Sequence, residues 1–353
     1  MALLITAGVV ASAAGFAYVT HSFIFSTLTT TSISSIPTST TISTTTTISI
    51  TSVTTTSIIY SDCGSPTDAN YILQYNTAYW SIYAYNSTWN TYKNYYLEQI
   101  NYPDQVYSQL ARMFNVDPVN SVSPHKLYLA IWQQTGGGFA TGCIGEIGKG
   151  PAIGISYDAW VNPYAGADNW SVELIAHETV NLFTGFVIGG WPVDWWADEI
   201  SPFPYSNKIL VEEALNHTSA AQASINSEDP LTGMFLNISS EYGTGMYARM
   251  FSDIKNDGWT VWFGPNPSQL LSEYAVAYLS IAANTSLVST VNNGYTQNNA
   301  YVNSGHAGHI VNYTINSTVV NAIIAERNAL QSQVRDSSCW QLFRGGTYNA
   351  MGC

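Results

Sequence analysis

Charge is what this sequence has least of. Only 9% of its 353 residues are charged, where an ordinary soluble domain carries about 25%. Lysine and arginine number 10 against 23 aspartates and glutamates, a formal net charge of -13 at pH 7. Cations so few and scattered cannot neutralise a run of phosphates, which excludes a nucleic-acid reader. The four cysteines form no CxxC pair, so cysteine-based metal knuckles are excluded as well. Gly136-Gly137-Gly138 has neither a following lysine nor a GxGxxG pattern, which argues against a nucleotide cradle, and no nucleophile elbow is present. Against these absences stand 46% hydrophobic and 13% aromatic residues, material for one large core or two smaller ones and too much for wholesale disorder. Solubility falls to Ser, Thr, Asn, Tyr and Gln, a surface suited to an acidic exterior.

The deficit is uneven: residues 1–61 contain no Lys, Arg, Asp or Glu at all, and the first basic side chain is Lys93. Met1 to Thr20 is a near-continuous apolar run, about 30 Å long as a helix and so of membrane length. Three readings stay open. A cleaved signal peptide could use Ala11-Ser12-Ala13, without the usual basic n-region. A membrane anchor would lack its basic flank. The third is a mature N-terminus from which a basic leader has been removed. Ser26 to Ser61 then reduces to Ser, Thr and Ile with one proline, Pro37. That is a stalk of the kind that carries O-linked sugars, either a disordered linker or, being β-branched, an extended ribbon.

The apolar, uncharged first 25 residues resemble archaeal type IV pilins and archaellins, whose N-terminal helices pack in a filament core. The resemblance implies a homopolymer assembled through residues 1–25, a stalk over 26–61, and an extracellular domain over 62–353. Seven N-x-[ST] sequons, at Asn86, Asn169, Asn216, Asn237, Asn284, Asn312 and Asn316, agree with an exported, glycosylated chain. The cysteines allow three pairings. Cys63 with Cys143 and Cys339 with Cys353 are the expected disulfides, which place the domain in an oxidising exterior.

The body reads as α+β. Asp68 to Phe114 is aromatic-rich with helical period, broken by Pro103 into two helices. Lys126–Gln133 and Ala152–Val161 read as strands on either side of the glycine-rich TGGGFATG turn. Asn169–Ile188 reads as a buried helix, capped by Asn169 or Ser171. The chain is then mainly helical through Ala283, followed by an Asn/Gly-rich, β-like stretch and a last helix near Val319–Val334.

The most informative stretch is LIAHETVNLFTGFVIGGWPVDWWADEISPFP, Leu174 to Pro204. His177-Glu178 on a helix, with Glu199 about 20 residues later, resembles the HExxH…E pattern of gluzincin metallopeptidases. In that pattern residues i and i+4 share a helix face and grip zinc while the Glu acts as base on its water. The resemblance implies a zincin-like fold, with an edge strand beside the substrate cleft, Glu178 as base, and His177, residue 181 and Glu199 as ligands. Residue 181, however, is Asn181. An amide oxygen binds zinc far less well than imidazole, so the expectation is an inactive metallopeptidase-like domain without a cofactor, zinc entering only if the degenerate site is filled. Two alternatives remain: a membrane-anchored surface metallopeptidase, and an adhesin binding a cell-surface or carbohydrate partner through Trp191, Trp195 and Trp196. His306 and His309, and Glu212, Glu213 and His217, read as solvated groups.

Overall fold

The computed structural model describes residues 59–60, 62–164, 168–188, 202–226, 229–243, 245–257 and 269–331. The apolar segment, almost all of the stalk, the tryptophan loop with Glu199, and the Cys339–Cys353 pair lie outside the described residues. Among the described residues no helix is long and apolar enough to cross a membrane.

The body is α+β. A short strand, β1 (Ile59–Tyr60), pairs with β4 (Val122–Ser123). The main sheet holds β2 (Tyr71–Asn76), β3 (Trp80–Tyr85), β5 (Leu127–Trp132), β6 (Gly138–Thr141) and β7 (Ala152–Ser156), in the order β2-β3-β5-β7-β6. β3, β5 and β7 run parallel, while β2 and β6 are antiparallel edges. The parallel step from β3 to β5 needs a long crossover, and α1 (Asn86–Glu98) and α2 (Tyr102–Phe114) supply it.

At the centre of the sheet both faces are covered, and β5 shows how. In β5, Leu127, Leu129 and Ile131 face the main core beneath the helices, whereas Tyr128 and Ala130 belong to a smaller cluster on the opposite face. A strand buried on both sides reads as an apolar run without alternation, as LYLAIW does. The smaller cluster lies under the 142–150 loop through Ile144 and Ile147, and the Cys63–Cys143 disulfide ties that loop to the incoming chain, with Cα atoms 6.1 Å apart.

Helices dominate the remainder. β8 (Pro163–Tyr164) and β9 (Asp168–Asn169) form a small hairpin that leads into α3 (Trp170–Ile188). After it come α4 (Pro202–Ala214), α5 (Thr218–Asn226), α6 (Pro230–Tyr242), α7 (Gly245–Asp257), α8 (Gln269–Ala283), α9 (Val288–Asn303) and α10 (Ser317–Gln331). α6 starts firmly because Asp229 accepts from the backbone N–H groups of Leu231 and Thr232, the usual N-cap bond.

Several sequence expectations need correction. The span from Asp68 opens with the hairpin β2–β3 rather than with helix. Its aromatic residues alternate across a sheet buried on one face and half-covered on the other, and tyrosine density imitates a helical stripe. Pro103 does not break a helix; it occupies the first turn of α2, where its missing N–H has no intrahelical partner to lose. The strand from Ala152 ends at Ser156, and residues 157–160 close into a 3-10 turn. The glycine turn contains strand β6. The Asn-rich stretch after Ala283 is helix α9, and its asparagines have a particular use. Asn292 and Asn299 each donate to and accept from one backbone unit of the following segment, at Ile315 and Val311, and Asn298 donates to the His309 carbonyl. Side-chain amides one to two turns apart thus act as a strand edge, which is why a helix here is rich in a residue with poor helix propensity. Glu212, expected in solvent, is fully buried, although Glu213 is exposed. His306 is exposed, as expected, and its ring stacks on Tyr301 with centroids 3.9 Å apart.

Gly154 leaves room for the ring of Phe139, its partner on β6. A Cβ on Gly154 would sit 2.3 Å from Cε1 of Phe139. Gly154→Ala is therefore expected to push the Phe139 ring off its seat and destabilise the protein by about 1–3 kcal/mol, as overpacking does. Urea unfolding checks this; an unchanged midpoint would mean that β6 moves freely.

Candidate functional site

α3 is apolar nearly all round, so its polar residues stand out. Glu173, His177, Glu178 and Asn181 lie within two turns, and all but His177 are buried. Helical period places His177 and Asn181 one turn apart on one face, with Glu178 beside them. The helix lies between the sheet, which it meets at β6 and β7, and helices α2 and α4.

Glu178 is buried, 3% exposed as a residue. It lies against the edge strand: a Cβ added to Gly138 would be 3.0 Å from Glu178 Cγ and 3.2 Å from Oε1. A larger residue there would press on the Glu178 side chain, which would have to give by a few tenths of an ångström. On the other side, Asn181 Nδ2 donates to Glu178 Oε2 at 2.6 Å. Burial is the chief influence on this carboxyl and pushes its pKa from 4.5 up to about 8, with Glu173 adding to the rise and Asn181 opposing it. Glu178 is thus a neutral acid at pH 7.

His177 is half-buried with its Nδ1 sealed from solvent, and its ring meets Tyr205 edge-on at 5.5 Å. Burial pulls its pKa from 6.5 down to about 4, so the imidazole is neutral over most of the pH range. One turn away, Glu173 forms a buried ion pair with Lys208 of α4, Nζ to Oε1 at 2.6 Å, while its Oε2 accepts from Trp170 Nε1 at 3.0 Å. Lys208 also lies 4.2 Å from the centre of the Tyr205 ring. Glu173 opposite Lys208 and His177 opposite Tyr205 show that α3 and α4 run antiparallel here.

Three of the four residues expected at the site, His177, Glu178 and Asn181, are together on α3. Glu199 lies outside the described residues, as do Trp191, Trp195 and Trp196. Neither expected cap of α3 can be credited: the side chain of Asn169 is outside the described residues, and Ser171 bonds Gln99 instead. Sequence reading missed Glu173, Lys208, Tyr205 and Gly138. A signal existed for Lys208, one of only ten basic residues and set within the apolar run KILV.

The described residues hold only part of the expected zinc site. At the expected ligand positions they supply one imidazole, His177, and one neutral amide oxygen, of Asn181, a weak ligand for zinc, while Glu199 lies outside them. Among the described residues no cluster of three or more His, Cys, Asp or Glu side chains could hold a metal, whereas protein zinc sites use three or four such ligands. In this arrangement Glu178 holds its proton at pH 7 and can donate it.

The sequons separate by setting. Asn216, Asn284 and Asn312 are exposed and lie in connections between helices. Asn237 is on helix α6, and the hydroxyl of its Ser239 is buried, within hydrogen-bond distance of Phe235 O and Tyr247 Oη. Asn316 Oδ1 accepts from Thr318 N at the start of α10.

Compared with known proteins, the chain matches no family model, no curated protein and no solved structure.

Proposed function

We propose that this chain is a structural subunit of an extracellular, type IV pilus-like filament, and that its outer domain is a metallopeptidase-like body that does not cut peptides. The filament half rests on the uncharged apolar segment 1–25, the Ser/Thr stalk and the sequons. The non-catalytic half rests on one observation: Asn181, at the position of a second imidazole, gives its amide to Glu178 at 2.6 Å. The residue that would activate water is protonated and held by the residue that would grip the metal.

The alternative, a working surface peptidase, draws on the same region. The His-Glu pair is on a buried helix, and Glu178 faces an antiparallel edge strand able to align an extended peptide. One pair of measurements decides between them. Electron microscopy of material from the producing cells is expected to show filaments, and dispersed subunits would overturn the structural reading. Peptide hydrolysis with added zinc is expected to be the same, at background, for the native chain and Glu178→Gln. Zinc-dependent turnover that Glu178→Gln abolishes would establish the peptidase.

A further inference from the structure

The sequons do not all offer the same shape. A sugar is attached where the asparagine amide and the hydroxyl two residues on are both within reach, and residues i and i+2 share a face only where the chain is strand-like. In a helix they stand about 200° apart. The Asn237 sequon lies within α6, with Asn237 exposed and Ser239 buried at 1%. The Asn86 sequon opens α1, where Thr88 Oγ1 donates to Gln133 Oε1 at 2.8 Å. Asn216 and Asn284 are exposed at left-handed positions, φ 66° and 55°. In both, the next N–H is bonded back to the helix just ended, His217 to Glu212 O at 2.7 Å and Thr285 to Ser280 O at 3.1 Å.

Asn312 is set differently. It lies between α9 and α10 in a segment without helix or strand, yet burial alternates along it as along a strand. Val311 and Ile315 are buried and Tyr313 is half-buried, while Asn312 and Thr314 are exposed. Side-chain amides of α8 and α9 hold the segment so. Asn299 brackets Val311 with two bonds of 2.8 and 2.9 Å, Asn292 does the same at Ile315, and Gln269 Nε2 donates to Thr314 O at 2.9 Å. Every one of these bonds grips backbone, so the clamp leaves the side chains of Asn312 and Thr314 on the open side.

We propose that Asn312 is the attachment point of an N-linked oligosaccharide, presented to its transferase by the folded domain through the Asn292 and Asn299 clamp. The inference rests on the reading of the chain as exported and glycosylated, and names the sequon that the fold itself offers. In the transfer, Asn312 Nδ2 attacks the anomeric carbon of an oligosaccharide carried on a lipid phosphate. The bond from Nδ2 to that carbon forms and the bond from the carbon to the phosphate oxygen breaks. Its electron pair leaves with the lipid phosphate, and one amide proton passes to a base of the transferase. Thr314, on the same side of the chain, supplies the hydroxyl that is read with the amide. The inward side chains of the segment are already packed, so a bulky sugar on its outward side displaces nothing.

The test is glycopeptide mass spectrometry of the full chain from the producing cells. Occupancy of Asn312 is expected to exceed that of Asn237 by roughly tenfold or more, as for an exposed sequon against one whose hydroxyl is buried. Thr314→Ser makes the two sequons alike in their last residue, and the difference should persist. Thr314→Ala should remove the sugar from Asn312 with an unchanged circular-dichroism spectrum, because only the backbone of Thr314 is used by the clamp. Equal occupancy of Asn312 and Asn237, or of the two in Thr314→Ser, overturns the proposal, since sugar would then be added before the fold can choose. So does a bare Asn312 in a chain glycosylated elsewhere. A chain bare at every sequon overturns it too, and filaments in the same preparation would show that the structural reading survives that loss.

Discussion

Glu178→Gln is expected to make the protein more stable at pH 8, and to leave it little changed at pH 4. The carboxyl titrates near 4.5 when unfolded and near 8 when folded. Below the unfolded value both states are protonated and the group is neutral in its effect. Above it, the folded state keeps a proton that the unfolded state has released, so stability falls with rising pH until the folded value is reached. At 1.36 kcal/mol per pH unit the whole interval is worth up to about 5 kcal/mol. Glutamine keeps an oxygen for Asn181 Nδ2 and carries no charge to bury.

His177 works in the other direction. Its folded value near 4 lies below the unfolded 6.5, so its contribution is present above 6.5 and lost as pH falls toward 4. Part of the ring meets solvent, which makes its share the smaller. Between about 4.5 and 6.5 the two slopes oppose one another; above 6.5 only Glu178 titrates, and the native protein should lose about 2 kcal/mol by pH 8. Burial also raises Asp229 and Glu326, which reinforces the same trend. Denaturant unfolding of both proteins at half-unit steps from pH 4 to 8.5 checks this. Parallel curves for the native chain and Glu178→Gln would mean that Glu178 is ionised in the fold.

The site was legible in the sequence to the extent that it is local. His177, Glu178 and Asn181 share one helix, and helical period alone puts them side by side. β5 and β7 were legible because strands buried on both faces are continuous apolar runs. β2 and β3 were not, since half-covered strands full of tyrosine carry no clean alternation. α9 was hidden by its composition: asparagine signals turns, and here it binds the backbone of a segment more than ten residues further on. Gly138 and Lys208 were hidden for a related reason. Each matters through a residue distant in sequence, Glu178 for the first and Glu173 for the second, and nothing in the local pattern encodes that distance. The absence of charge pointed the right way, because in so neutral a chain each buried charge is an exception with a partner to find.

Lys208→Met is the substitution expected to cost most. Lys208 and Glu173 are 0% and 5% exposed at the side chain and 2.6 Å apart. Removing one member of such a pair leaves the other charge buried and uncompensated, a loss of about 3–5 kcal/mol, while replacing both by apolar residues of similar size is often nearly neutral. Glu173→Leu with Lys208→Met should therefore lose much less than the two single changes added together. Trp170 Nε1 gives up its acceptor in the double variant, but that ring is only half-buried and water can serve. Equality of the double with the added singles, measured by urea unfolding, would show that the two charges do not depend on one another. A second readout follows from the neighbouring imidazole. Lys208 helps to hold the His177 pKa down, whereas Glu173 raises it. In Lys208→Met the histidine should titrate closer to 6.5, and an NMR titration of its ring would register this while the fold persists. A destabilised variant with an unmoved His177 would mean that Lys208 acts by packing alone, leaving the helix pair α3–α4 held together by its apolar contacts.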